Sequence, residues 1–443
     1  MPLSYRRLFS VKGAGAFTAA GFLARLALAM TGVSTVVMIA SLRDSYALAG
    51  LVAGASLATT LVTMPLLGRL VDRHGQAKVA VPAALWSFAL SGALVACAAA
   101  GAPTWTLFVT GVLSATAPNI GGMARARWSE IFDGDPDAMH VANSFEQVLD
   151  ELGFILGPIL AIALCTAVAP EAGRITALVL TLVGTVLFAA QRGTQPPVRP
   201  AEGFGARSPF RSGGVRIMML VFVFVGAVFG SLELATVAYT ESLGHGASAG
   251  VVLALQAVGS ALSGVLFGML PLRGGHTARF VAGVAGMAVL MSPLNLAGDI
   301  GPLCALMFLA GMATSPTMIT GMSLVQELVP RSQLNEGMTL AVTGLLAGIS
   351  LGGTAAGWSV EHCGPDTAYR LPTALAATAL VIALLGARRL RGGLAPSAAR
   401  ASTSGDQPDE EALRIPRVRE PKVTTQTRAE NGQPQSAGLR RPE

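Results

Sequence analysis

Charged residues are scarce in this chain, and a few of them stand where water is not expected. Only 13% of its 443 residues are charged, against 52% hydrophobic. A charge within lipid costs at least a few kcal/mol and marks a site by default. Arg25 lies about ten residues into one apolar run, and Asp150 and Glu151 about ten residues into another. At a rise of about 1.5 Å per residue, each is ~15 Å deep. This fits a buried pair between Arg25 and either Asp150 or Glu151. Consecutive helical residues point about 100° apart, so the second carboxylate is left for a cavity or a partner helix, where burial favours uptake of a proton. A purely structural pair fits as well. Glu146, one turn earlier, faces either an inner vestibule or an interface. Glu233, deep in a later run, is a candidate proton or cation site or else an outer-rim residue. Asn119 and Gln256 are candidate hydrogen-bond donors to a substrate, or glue between helices.

The elements that hold these residues are membrane helices. Mean hydropathy is +0.58, and apolar runs of ~20 residues, enough for a ~30 Å hydrocarbon core, recur along most of the chain. In lipid each must satisfy its own backbone hydrogen bonds, so they are helices. Twelve spans are expected, at 16–40, 46–67, 79–100, 103–123, 142–167, 173–191, 215–240, 247–270, 279–298, 302–325, 337–360 and 368–387. The first, behind Arg6, Arg7 and Lys12, is too long for a signal peptide and reads as a helix. Counting Lys and Arg in the short loops gives nineteen on the side of the N-terminus, Arg125 and Arg127 among them. The other side has three, Arg43, Arg174 and Arg370. The positive-inside rule then puts both termini in the cytoplasm. The sequence pI of 9.5 follows from that topology and requires no nucleic acid. The linker 192–214 separates an N-terminal six-helix bundle, 1–191, from a C-terminal one, 215–390. The polar tail 391–443 is too poor in apolar residues to fold.

The halves resemble each other. GRLVDRHGQAK begins at Gly68 and GMLPLRGGHTAR at Gly268, 200 residues later, with Gly68, Leu70, Arg73 and Gly75 in step with Gly268, Leu270, Arg273 and Gly275. ATAPNIGGM and ATSPTMITGM set Pro118 against Pro316 at an offset of 198. Duplicated six-helix halves are a transporter architecture, with the substrate site between them near mid-membrane.

These residues resemble the major facilitator superfamily of secondary transporters. G-x-L-x-D-R-x-G at Gly68, Leu70, Asp72, Arg73 and Gly75 is similar to its loop signature between helices 2 and 3, and Gly153, Gly157 and Pro158 to the G-x-x-x-G-P element of its antiporter branches. The resemblance implies an all-α integral membrane protein of twelve helices in two pseudo-symmetric six-helix bundles. It also implies a conformational latch at Gly68, Asp72, Arg73 and Gly75, closing on helix 11. Asp72, just past helix 2, is suited to cap a neighbouring helix start, where the dipole favours an anion. Three features depart from the family pattern. Gln76 stands where a basic residue is usual, Leu272 stands where Asp72 has its repeat, and residues 104–120 hold no charge.

The expected function is alternating-access transport of a small molecule across the plasma membrane, with proton-coupled efflux favoured by the helix 5 element. Uptake or uniport by the same fold is the alternative, and a non-transporting scaffold or sensor is a reading from another class. The expected partners are the lipid bilayer, a small-molecule substrate and protons. No cofactor and no metal is expected: Cys97, Cys165, Cys304 and Cys363 are scattered, and the five histidines fall in or beside loops. An intramembrane enzyme would need a catalytic constellation that the sequence lacks. Glycines four apart in helix 11 (Gly344, Gly348, Gly352) and helix 8 (Gly264, Gly268) offer either a surface on which the halves rock or static packing.

Overall fold

A computed structural model describes residues 5–198, 208–270 and 275–392. Leu272, Arg273 and the tail from residue 393 onward lie outside the described residues. Fourteen helices follow one another: α1 (Arg6–Phe9), α2 (Ala14–Arg43), α3 (Tyr46–His74), α4 (Gln76–Ala99), α5 (Thr104–Ser114), α6 (Ile120–Ile131), α7 (Pro136–Ala167), α8 (Ala172–Ala190), α9 (Gly213–Ser242), α10 (Ala249–Met269), α11 (His276–Met291), α12 (Ile300–Leu328), α13 (Leu334–Cys363) and α14 (Arg370–Gly392). Among the described residues, eleven segments are long and apolar enough to cross a membrane. Their outward surface is apolar, with Leu51, Val62, Ile159 and Leu385 all exposed, as lipid-facing helices require. Residues 391 and 392 continue α14 and are not part of a tail.

The fourth expected span, 103–123, is not one helix. α5 stops at Ser114 and α6 starts at Ile120, with irregular backbone between. Pro118 brings no N–H to a helical ladder. The carbonyls freed by the break are taken by neighbours: Thr63 Oγ1 donates to Ala115 O at 2.8 Å, Ser87 Oγ to Ser114 O at 2.7 Å and Trp86 Nε1 to Leu113 O at 3.0 Å. Asn119 then restarts the helix, its Oδ1 accepting from Gly122 N at 3.0 Å, which satisfies one first-turn donor. The repeat partner Pro316 sits inside an unbroken α12. Thr317 follows it where Asn119 follows Pro118, and no capping side chain interrupts the ladder.

Helices pack mainly within their own half. α2 lies against α7 and α8, and α4 against α5 and α8. α9 lies against α13 and α14, and α12 against α10 and α11. The halves meet through α3 with α13 and through α7 with α10 and α12. The C-terminal half has one continuous apolar core, including Phe222, Phe280 and Met318. The N-terminal core is divided into a cluster around Phe17, Trp128 and Phe188, one around Met38, Val52 and Leu107, and a small one at Leu26 and Met30. The polar network described below interrupts it.

The glycine stripe on α13 is packing within one half. Cβ atoms at Gly344, Gly348 and Gly352 would run into the backbone of α9 at Met219, Val223 and Ala227, so α9 and α13 touch backbone to backbone. By contrast Gly264 and Gly268 on α10 lie between the halves, against Val148 and Ser144 of α7. Cys165 is buried and none of the four cysteines is bonded to another.

Asp135 caps α7, its Oδ1 accepting from Ala138 N at 2.9 Å, and pairs with Arg7 at 2.7 Å. The Ala138 N–H, then Arg7, hold its carboxyl below the usual range. A depressed carboxylate contributes stability above its unfolded pKa and loses it as pH falls through the folded one. The α1–α7 junction is therefore expected to loosen in acid, below the ordinary aspartate range. Gly348→Val, forced against Ala227 N at 2.8 Å from the new Cβ, is expected to cost about 3 kcal/mol or more. Gly32→Ala, with nothing within 4 Å, should leave the thermal unfolding midpoint of the detergent-solubilised protein unchanged.

Candidate functional site

α7 carries its acids on two faces. Glu146 and Asp150 are one turn apart and share a face, while Glu151 is rotated away by about 100°. On the first face a chain of alternating charges is assembled. Arg25, midway along α2, binds Glu146 through Nη2 and Asp150 Oδ1 through Nη1 at 3.1 Å. Asp150 Oδ2 also accepts from Arg125 Nη2 at 2.7 Å. Glu146 Oε1 accepts from Trp128 Nε1 at 2.6 Å. Glu146 is fully buried, with 0% of its side chain exposed, while Asp150 keeps 22%. The order Glu146, Arg25, Asp150, Arg125 is neutral in sum. Removing one member strands a buried charge, which typically costs about 3–5 kcal/mol.

Arg25 pairs with Asp150, one of the two partners expected for it, and with Glu146 as well. Two sequence expectations are corrected here. Glu146 faces neither a vestibule nor an open interface; it is the innermost acid of the network. Arg125 and Arg127, counted among loop charges, are buried on α6, 2% and 0% exposed. The apolar run ends at Met123, and nothing in its hydropathy signals a break that turns the following residues inward. Arg127 ties four elements together: Nε donates to Gln76 Oε1 at 2.8 Å, Nη1 to Gln191 O and Thr194 Oγ1, and Nη2 to Phe188 O. Its guanidinium lies 3.8 Å from the Phe188 ring centroid. Gln76 Nε2 donates onward to Met123 O at 3.0 Å.

Glu151 points across to the C-terminal half. Its Oε1 accepts from Gln147 Nε2 at 3.0 Å and from Ser260 Oγ of α10 at 2.8 Å, with Ser315 Oγ of α12 at 3.5 Å. Among the described residues no cation pairs with it. Glu233 is exposed on α9, with no side-chain partner among the described residues. Gln256 is half-buried on α10, where its backbone packs on Gly311. Gly157 fits against Ala29 and Met30 of α2, with Ala29 Cβ 2.6 Å from an added Cβ, while Gly153 has open space beside it. Pro158 lies inside α7 without ending it.

The halves are joined at the end that holds the α3–α4 turn. Asp72 Oδ1 accepts from Asn335 N at 3.0 Å and Asn335 Nδ2 at 2.8 Å, and its Oδ2 from Glu336 N at 2.8 Å. It thus serves the orphan first-turn donors of α13 from the other half of the molecule. Gly68 permits the approach: an added Cβ would lie 2.9 Å from Asn335 O. Gly75 turns the chain at φ 92°, a backbone that favours glycine. Arg73 is exposed and does not join this contact; Arg69, nearer Glu336 at 4.0 Å, does. Asn143 Nδ2 to Gln326 Oε1 at 2.7 Å, His140 Nε2 to Phe267 O at 2.8 Å and the Asp133–Arg331 pair add to the same end.

A paired bundle closed at one end by an acid on a helix start is matched by a family model. The Major Facilitator Superfamily model fits residues 17–300 and 218–423. The chain belongs to the Major Facilitator Superfamily. It is a transporter by family, not an enzyme. A bacterial homologue of the iron transporter ferroportin in an outward-facing state is similar in fold, at TM-score 0.69 and 16% identity over 84% of this chain and 98% of that one. The human organic anion transporter MFSD10 (TETRAN) follows at 0.67 and 14%, over 85% and 99%. The proton:xylose symporter XylE gives 0.60 and 16%, over 83% and 95%. No curated protein sequence matches.

Asp72→Ala removes three hydrogen bonds and a helix cap, worth about 1–3 kcal/mol. Fluorophores at Lys78→Cys and Arg216→Cys, one in each half, should report a shift toward separation at this end. Asp72→Asn, which keeps an acceptor, should shift less.

Proposed function

We propose that this protein is a secondary transporter of the plasma membrane that works by alternating access and couples export of a small molecule to proton entry. The observation that carries the proposal is Glu151. A carboxylate that exchanges a proton must lose its charge without abandoning a cation. Neutralising Glu146 or Asp150 would strand Arg25 or Arg125, whereas neutralising Glu151 strands none. Its bonds to Ser260 and Ser315 run between the halves. Protonation would remove its charge and turn one oxygen from acceptor to donor, altering those bonds where the halves must part.

The bonds at Asp72, Asn143 and Asp133 close the basic end, which the positive-inside rule assigns to the cytoplasm together with both termini. The reading then divides the chain into bundles 1–191 and 215–390, hinged by the linker between them, with the conformation closed inward. The export direction is supported by the resemblance of Gly153, Gly157 and Pro158 to antiporter elements. Asp72 and Gly68, through their contacts on α13, and Gly75, which turns the loop, act as the latch of the inward-closed state.

The test is proton movement in proteoliposomes that hold a pH-sensitive dye, against gradients of organic anions, organic cations, amino acids and sugars. The wild type should move protons with one of these classes. Glu151→Gln should fold with an unchanged melting temperature and lose the coupled proton flux. Substrate flux without proton movement would make the protein a uniporter and Glu151 a structural residue.

A further inference from the structure

Several buried donors converge on the start of α6 and have nothing to bind. Arg25 Nε, Arg125 Nε and Asn119 Nδ2 are buried without a hydrogen-bond partner, and so is Thr116 Oγ1 in the break just before. The two arginines are 8% and 2% exposed. They meet over Gly121, the second residue of α6. From the place a Cβ would occupy there, Arg125 Nη1 is 3.4 Å away and Arg25 Nε 3.6 Å. The helix start adds the positive end of its dipole, while its Ile120, Gly122 and Met123 N–H groups are already bonded to Pro118 O, Asn119 Oδ1 and Asn119 O; the side-chain donors are left unpaired at a depth where that is costly. Acceptors nearby are already engaged: Asn119 Oδ1 by Gly122 N, and both Asp150 oxygens by the two arginines.

We propose that this cradle binds the anionic group of the transported molecule, so that the substrate is a small organic anion carrying a carboxylate or a phosphate. The inference rests on the transporter reading above and names its substrate class. A site lined by guanidinium and amide N–H groups repels a cation. The acids of α7 that would otherwise suit a cationic substrate are occupied, Glu146 and Asp150 by arginines and Glu151 by neutral donors. Guanidinium matches an oxyanion through paired N–H groups. An entering oxyanion competes with Asp150 for Arg125 and Arg25, and Asp150 is the one partly exposed member of the network. The break in the fourth span is what brings a helix start to this depth, as in transporters built on discontinuous helices.

The test is binding to the purified full-length protein in detergent, read as a shift of melting temperature across titrations of benzoate, succinate, citrate and inorganic phosphate, with benzylamine and benzamide as cationic and neutral controls. At least one anion should raise the melting temperature and neither control should. Response to the organic acids but not to phosphate identifies a carboxylate, and the reverse a phosphate. Gly121→Ala puts a methyl group into the cradle at ordinary contact distance, so its ligand-free melting temperature should match the wild type while anion affinity falls at least tenfold. Arg125→Gln should lose binding as well. Stabilisation by benzylamine instead, no response to any anion, or unchanged anion affinity in Gly121→Ala would overturn the proposal. Anion binding is read at equilibrium in detergent with no proton gradient, so loss of proton coupling and loss of the anion site are read separately.

Discussion

Charge inside lipid must be answered by opposite charge nearby, and the N-terminal half is arranged around that constraint. α7 brings two acids to one face, α2 supplies Arg25, and the helix that would supply Arg125 has to enter at the right height and angle. It does so because the fourth span stops and restarts. The apolar cores of this half are separate clusters on either side of the ion chain, while the C-terminal half, without such a chain, fills its interior continuously. The two halves thus differ in what fills them: one holds the buried ion chain, and in the other α9 and α13 touch backbone to backbone.

The same logic governs the contact between the halves. Asp72 bonds to α13 through backbone N–H groups as well as the Asn335 side chain, so the contact reads the position of a helix start more than the identity of its residues. Glu151, farther into the membrane, meets only hydroxyls and an amide. Neutral partners let such a contact form and break without leaving a bare cation, which suits a surface that must separate and rejoin. The ion chain is the opposite kind of structure: Arg25 and Asp150 each hold two other members, Glu146 is held by Arg25 and Trp128, and Arg125 ends the chain on Asp150.

How much of this was legible in the sequence depended on whether a residue broke a pattern. Arg25, Asp150 and Glu151 interrupt long apolar runs, and their equal depth suggested a pairing across α2 and α7. The loop from Gly68 to Gly75 was legible from its repeat and its resemblance. Arg125 and Arg127 broke no pattern, because they follow the last apolar residue of an expected span where basic residues are ordinary. The break at 115–119 was hidden for the same reason: Ala, Thr, Pro and Asn prolong an apolar stretch without marking an end, and only tertiary donors from α3 and α4 satisfy the carbonyls that the interruption frees. The stripe of Gly344, Gly348 and Gly352 was visible as small residues four apart, but spacing alone does not say which helix lies against it.

Gln76 departs from the loop's usual basic residue, and its bond to Arg127 gives the departure a cause. A cation at position 76 would face the buried guanidinium whose N–H Gln76 now accepts. The positions are therefore bound to change together: in homologous chains a basic residue at the first position of α4 should be found with a neutral one at the position of Arg127, and glutamine with arginine. The loop motif and the buried arginine are thus tied by one hydrogen bond, although 51 residues separate them.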